Sequence, residues 1–320
     1  MIACAARRWA EGVNSMAYKI HCLNNISEKG LVLFGEGYEL TEDVMQADAI
    51  LVRSADMHGM ELPEGLKAVA RAGAGVNNIP LDELAARGVP VFNTPGANAN
   101  AVKELVLCGM LLAARDVVGG IGWCRSNADD PQVAKAAEKA KKQFAGGEIF
   151  GKTLGVIGLG AIGRLVVGAA EALGMQVIGY DPFVKPENAA AISPTMRFTA
   201  ELSDVFAASD YMTIHVPATA STKGMIDAAA ISQMKDGAVF LNFSRDTLVD
   251  DAAMAQALES GKIARYVTDF ANPAVMAMER AIVLPHLGAS TAEAEDNCAI
   301  MAVQEIKDYL ETGKKTHCVN

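Results

Sequence analysis

The chain has 320 residues, enough for two domains of ordinary size that each close a core. Apolar residues make up 51% and charged residues 21%, the balance of a folded globular protein, which excludes disordered and fibrous readings. A formal charge of -10 repels nucleic-acid phosphates and anionic head groups, and no apolar run reaches the ~20 residues of a membrane span, so neither nucleic acid nor membrane is an expected partner.

The same field repels an anionic substrate, so a site for one needs its own arginines. Residues 1–16 carry Arg7, Arg8 and Glu11 without a signal-peptide apolar run and read as an N-terminal extension. The six cysteines, Cys4, Cys22, Cys108, Cys124, Cys298 and Cys318, show no CxxC spacing. They are expected to be thiols in a reducing cytoplasm, with no metal site.

From Ala17 onward short apolar runs alternate with helical patterns, the signature of βαβ units and an α/β fold. Strands are expected over residues 18–23, 49–52, 66–70 and 89–92. Asn93-Thr94-Pro95-Gly96 then breaks the pattern. From Asn98 to about Asp116, Val102, Leu105, Val106, Gly109 and Leu112 recur at helical spacing. The Ala- and Lys-rich run from Pro131 to Lys142 reads as a solvated helix that stops at Gly146-Gly147.

A second strand series follows over residues 153–157, 176–180, 211–216, 238–242, 266–268 and 281–284, six strands that suit a doubly wound sheet. A last helix is expected from about Ala292 to Leu310.

Within that second series lies Gly158-Leu159-Gly160-Ala161-Ile162-Gly163. A lone GxGxxG is weak, but this one follows the strand Leu154-Gly155-Val156-Ile157 and opens a helix with Ile162, Leu165, Val166, Ala169 and Leu173 on its apolar face. Gly158 allows the tight turn, Gly160 lets backbone approach a pyrophosphate, and Gly163 lets helix lie on strand. The N–H groups at the helix start, from Ala161 and Ile162 onward, face the phosphates. Asp181 ends the next strand, eighteen residues past Gly163, and can accept both ribose hydroxyls of NAD while repelling the extra phosphate of NADP; no arginine nearby argues otherwise. NAD is the expected cofactor.

Two more strand-end segments carry chemistry: Asn242-Phe243-Ser244-Arg245-Asp246-Thr247-Leu248-Val249-Asp250 and Pro285-His286-Leu287-Gly288-Ala289-Ser290-Thr291. In this order, GxGxxG, then Arg before Val-Asp, then Pro-His-Leu-Gly-Ala-Ser-Thr, the chain resembles the D-isomer-specific 2-hydroxyacid dehydrogenases from Tyr18 to Gly313.

That resemblance implies two doubly wound parallel-sheet domains: a flavodoxin-like substrate-binding domain of residues 17–97 and 291–320, and a Rossmann NAD-binding domain of residues 98–290. His286 is implied as the acid that protonates the carbonyl oxygen and the base in reverse, a task that suits imidazole. Arg245 is implied as the holder of the substrate carboxylate, a bidentate role lysine cannot copy. Asp269 matches the residue that contacts the nicotinamide amide. His215, Val216, Pro217, Ser244 and Gly288 are further implied cofactor contacts, although as an imidazole His215, like His21, His58 and His317, reads as an ordinary turn histidine.

The glycine-rich loop matches backbone donors to the substrate carboxylate at Ala74, Gly75 and Val76. Arg53-Ser54 and Arg71 each end a strand of the first series and are placed to meet a phosphate at the other end of the substrate, which answers the need set by the overall charge. The Asn93–Gly96 turn and Asn98 resemble the family's hinge, whose closure excludes water. A homodimer through residues 102–152 is also implied.

The implied substrate is a small anionic, phosphorylated 2-hydroxy or 2-keto acid, 3-phosphoglycerate and its keto acid first. Glycerate, glyoxylate or hydroxypyruvate, or a non-catalytic NADH-sensing role, are the alternatives.

Two departures stand out. The family's glutamate four or five positions after the aspartate is replaced by Pro273 and Ala274, so either Glu279 takes over or His286 works without a carboxylate partner. Asp246 follows the arginine where most relatives have glycine, an acid able to weaken the pull of Arg245 on an anion.

Overall fold

The computed structural model describes residues 17–320; the extension of residues 1–16, with Cys4, lies outside the described residues. Two compact units emerge among the described residues, 17–97 with Glu295–Asn320, and Asn98–Ala294.

In the first unit, short aliphatic runs form β1 (Tyr18–Cys22), β2 (Tyr38–Leu40), β3 (Ala49–Val52), β4 (Ala68–Arg71) and β5 (Val91–Phe92). Their order is β2-β1-β3-β4-β5 and every pairing is parallel, the flavodoxin-like arrangement. β3 is buried at all four positions because helices and loops cover both faces of a parallel sheet. One face packs on the helix Ala292–Thr312 through Cys298, Ala299, Ala302, Val303 and Ile306. That helix meets the short helix Glu28–Leu31 so closely that a Cβ on Gly30 would lie 2.6 Å from the Ala299 backbone carbon.

The second unit holds β6 (Thr153–Ile157), β7 (Gln176–Tyr180), β8 (Arg197–Thr199), β9 (Tyr211–Ile214), β10 (Ala238–Asn242), β11 (Ile263–Thr268) and β12 (Ala281–Val283). The all-parallel order β12-β11-β10-β9-β6-β7-β8 is the Rossmann pattern with a seventh strand, and the chain reverses direction across the sheet between β6 and β9. The helix Ala99–Ala114 covers one face; a Cβ on Gly109 would press Phe243, Leu241 and Val267 at 3.0–3.1 Å. Among the described residues no single helix is long and apolar enough to cross a membrane.

Several sequence expectations needed correction. β2 and β8 were unforeseen because each is a three-residue edge strand, partly exposed, with no apolar alternation to read. The helix Val117–Ser126 was missed since Gly119, Gly120 and Gly122 argue against one; Asp116 caps it by accepting from the Gly119 N–H at 2.9 Å. The expected helix of residues 131–142 runs only over Val133–Ala140 and tightens into a 3-10 turn at Lys141–Phe144. On the helix Ala161–Ala172, Leu165 and Leu173 are exposed, and the core face is Gly163, Val166, Val167 and Ala170, rotated so that Gly163 meets the strand.

The last residues, left without structure by the sequence reading, run along β5. Cys318 pairs antiparallel with Phe92, and the Val319 N–H donates to Val91 O at 2.9 Å. The five cysteines among the described residues are free thiols.

Candidate active site

In each unit the candidate residues sit where strands end, because a parallel sheet delivers all its following loops to one edge. In the second unit β6 passes directly into the glycine loop. Gly158 adopts φ 94°, and a Cβ there would lie 2.5 Å from His215 O, so only glycine fits both the torsion and the space. A Cβ on Gly163 would lie 2.0 Å from Gly158 O. A Cβ on Gly160 would meet nothing within 4 Å. Two glycines therefore shape the turn, and the third leaves open space beside a helix start that has no side-chain cap.

Asp181, at the end of β7, accepts from the N–H of Leu159 at 2.8 Å and of Phe183 at 2.9 Å. Its carboxylate is thereby held against the glycine loop. Contrary to the sequence reading, an arginine does lie at this loop: Arg164 Nε donates to Leu159 O at 2.8 Å.

After β9, His215 hydrogen-bonds Thr213 Oγ1 through Nε2 at 3.0 Å, and its buried Nδ1 has no partner. Burial pushes its pKa down to about 3, so the ring is neutral, as expected of a histidine with no acid–base task. Val216 O accepts from Ser244 Oγ at 2.7 Å, linking the β9 and β10 loops, while Pro217 is exposed.

Arg245 follows β10. The fully buried Asn242 fixes this turn, its Oδ1 accepting from the Ser244 N–H at 3.1 Å and its Nδ2 donating to Arg245 O at 2.8 Å. Among the described residues no carboxylate forms an ion pair with Arg245. The neighbouring Asp246 is exposed and turns its Oδ1 to the Thr247 N–H at 2.8 Å, heading a 3-10 turn, so the expected interference with Arg245 is not seen as a direct contact.

Asp269 directly follows β11 and is 1% exposed. Its Oδ2 accepts from the Gly288 N–H at 2.8 Å, its backbone O accepts from the His286 N–H at 2.8 Å, and its Oδ1 is buried without a partner. Burial raises its pKa, against the Gly288 N–H and the positive potential of His286 and Arg245. His286 itself is exposed at φ 49°, a costly torsion for a residue with a side chain, and its ring stands edge-on to Phe270 at 5.1 Å. Its imidazole makes no hydrogen bond among the described residues.

Of the two options left open for its carboxylate partner, Glu279 is ruled out by topology. It is exposed and precedes β12, whereas His286 follows that strand, so the two lie at opposite edges of the sheet.

In the first unit, Arg53 leaves β3 with its guanidinium in an ion pair with Glu295 at 2.7 Å, and Ser54 is exposed. Arg71 ends β4 and donates from Nε to Asn78 Oδ1 at 3.1 Å. The N–H groups of Ala74, Gly75 and Val76 donate to no atom among the described residues. Asn93 Nδ2 holds this loop by donating to Ala74 O at 2.6 Å. Asn24 and Asn78 carry no expectation from the sequence, and Asn93 carries only that of the hinge turn. Their only sequence signal is an asparagine shortly after a strand, which reads equally well as a turn former.

A model of the D-isomer specific 2-hydroxyacid dehydrogenase NAD-binding domain matches residues 110–288, more than half of the chain. The chain belongs to the D-isomer specific 2-hydroxyacid dehydrogenases. It is 37% identical over 278 residues to the D-3-phosphoglycerate dehydrogenase of Mycobacterium leprae, covering 84% of this chain and 50% of that protein. It is 35% identical over 295 residues to that of Methanocaldococcus jannaschii, covering 88% and 53%. The chain thus spans about half the length of the curated relatives it matches. The crystal structure of NAD+-bound 3-phosphoglycerate dehydrogenase from Entamoeba histolytica superposes with a TM-score of 0.76 at 26% identity, covering 95% of this chain and 99% of that one.

The second unit therefore carries this family's NAD-binding domain, and two observations fit the cofactor to it. Gly160 leaves open space at an uncapped helix start, suited to a pyrophosphate, and the orphaned Asp269 oxygen suits a donor such as the nicotinamide amide.

Proposed function

We propose that the chain is an NAD-dependent dehydrogenase interconverting 3-phosphoglycerate and 3-phosphohydroxypyruvate, the entry into serine biosynthesis. The observation that carries this reading is one sheet edge. There, among the described residues, Arg245 has no ion-pair partner and the His286 imidazole no hydrogen bond, and both stand near a buried Asp269 with one unsatisfied oxygen. Buried polar atoms are normally satisfied, and unpaired ones mark places where a ligand completes the set.

In this reading Gly158, Gly160, Ala161, Ile162 and Gly163 hold the pyrophosphate, Asp181 the adenosine ribose, and Asp269 the nicotinamide amide. His215, Val216, Pro217, Ser244 and Gly288 line the same strand ends. Bound NADH supplies the hydride that reduces the substrate carbonyl carbon. His286 gives its proton to the carbonyl oxygen as that carbon is reduced, and takes it back in the oxidation of the alcohol. Arg245 holds the substrate carboxylate and polarises the carbonyl. In the first unit the N–H groups of Ala74, Gly75 and Val76, which donate to no atom among the described residues, offer a carboxylate-binding loop, and Arg53, Ser54 and Arg71 offer the charge and hydroxyl for a phosphate. Residues 17–97 with 291–320 act as the substrate domain and 98–290 as the cofactor domain.

A homodimer is supported by apolar surface on the helix Val117–Ser126: Val117, Val118 and Ile121 are exposed beside a concavity of about 430 Å³ lined by Trp123 and Phe144. The free thiols support a reducing, cytoplasmic setting.

One observation favours a second reading. The Arg53–Glu295 pair takes up part of the charge meant for a phosphate, which suits glyoxylate or hydroxypyruvate instead. Steady-state NADH oxidation with 3-phosphohydroxypyruvate and hydroxypyruvate side by side separates the two. The phosphorylated acid is expected to have at least a tenfold higher kcat/KM, and equal values would overturn the phosphate assignment.

A further inference from the structure

In the first unit the loop after β3 is held by one side chain. Asn24, just past β1, accepts three consecutive backbone N–H groups on Oδ1: Arg53 at 2.9 Å, Ser54 at 3.0 Å and Ala55 at 3.0 Å. Three converging donors fix which amide atom is oxygen, since Nδ2 could accept none of them. Consecutive N–H groups that converge in this way form a nest, a shape that takes anions. Here a neutral oxygen fills it.

The hold extends to the next loop. Asn78 Nδ2 donates to Ala55 O at 2.7 Å, while its Oδ1 accepts from Arg71 Nε at 3.1 Å. One amide thus ties the Arg53 loop to the Arg71 side chain. Asn93 Nδ2, after β5, braces Ala74 O in the glycine-rich loop at 2.6 Å. Three strand-end asparagines span the whole anion-binding edge, and none brings a charge to it.

We propose that Asn24 is the positioning residue of the Arg53–Ala55 loop, and that its neutrality sets the affinity of this edge for an anionic substrate. This rests on the dehydrogenase reading above. A carboxylate satisfies all three N–H groups at least as well as an amide oxygen, because charge-assisted hydrogen bonds are stronger. What it adds is a negative charge beside Arg53, already shared with Glu295. Asn24 Nδ2 also donates, to Ser54 Oγ at 3.5 Å, but that hydroxyl can turn and donate to a carboxylate instead, whereas Asn78 and Asn93 each donate from Nδ2 to a carbonyl, and a carboxylate there has nothing to donate.

The test is a set of Asn→Asp substitutions. Asn24→Asp is expected to keep Tm and kcat while raising KM for 3-phosphohydroxypyruvate about three- to tenfold at low salt, the rise shrinking at high salt. Asn78→Asp and Asn93→Asp are expected to lower Tm. Asn24→Ala is expected to speed hydrogen exchange at the Arg53, Ser54 and Ala55 amides, which Asn24→Asp leaves protected.

An unchanged KM in Asn24→Asp overturns the proposal, as does a folding defect in that variant or unchanged exchange in Asn24→Ala. If the wild type reduces no 2-keto acid, the dehydrogenase reading fails. The charge claim is then read from inorganic phosphate, which must raise the wild-type Tm more than that of Asn24→Asp; equal shifts overturn it.

Discussion

At the strand ends of the seven-stranded sheet the Gly158–Gly163 loop carries no polar side chain, whereas the five-stranded sheet clasps its Arg53 and Arg71 loops with asparagine amides. In the proposed reading the difference follows from what each edge holds. A pyrophosphate is gripped by main-chain N–H groups, and any side chain between keeps it at a distance. An anion gripped by arginines needs their charges fixed without being cancelled, and a neutral amide does that. The second unit brings Arg245 and His286 near the buried Asp269, and Asp181 and Arg164 to the glycine loop itself.

The sharpest break in that contrast is at His286. Replacing it with Gln removes the proton donor and leaves the glycine loop intact, so kcat should fall by roughly 10²–10⁴-fold with NADH affinity preserved, measured by stopped-flow turnover and fluorescence titration. The glycines themselves come next. Gly163→Ala puts a Cβ 2.0 Å from Gly158 O and should lower stability by about 3 kcal/mol in urea unfolding, whereas Gly160→Ala meets open space and should unfold like wild type while weakening NADH binding. If both behave alike, the division of labour among the glycines is wrong.

Asp181→Ala removes the charge facing the ribose and should narrow the preference for NADH over NADPH about tenfold, read as the ratio of kcat/KM values. An unchanged ratio would move selectivity to another residue, with Arg164 the nearest charge on that loop.

A pH-dependent effect belongs to the first unit. Glu305 is buried and bonded to His317 Nδ1 at 2.7 Å, yet burial outweighs that partner and lifts its pKa from 4.5 to about 7. A raised carboxyl pKa means that the neutral form suits the fold. Its contribution is full below about pH 4.5 and is lost as pH rises through about 7. Glu305→Gln stays neutral throughout, so it should exceed wild type by about 1–3 kcal/mol at pH 8 and converge with it toward pH 5 in pH-dependent thermal melts.

Much of this architecture was legible beforehand. Buried strands such as β3 and β10 are continuous apolar runs, and the glycine motif is bounded by a strand and a helix that both read clearly. The edge strands β2 and β8 were not, because three partly exposed residues carry no period. Arg245 and His286 stood out through their surrounding motifs. The roles of Asn24, Asn78 and Asn93 did not, since their meaning lies in hydrogen bonds to loops distant in sequence. The fate of Glu279 likewise needed the strand order, which puts a residue only seven positions from His286 at the far edge.

The most direct test separates binding from chemistry at Arg245. Arg245→Ala should bind NADH within about threefold of wild type, and its oxidation of NADH with 3-phosphohydroxypyruvate should fall by on the order of 10²–10³-fold or more. Turnover at the wild-type rate, or turnover and NADH binding lost together, would contradict a site in which the glycine loop holds the cofactor and Arg245 holds the acid.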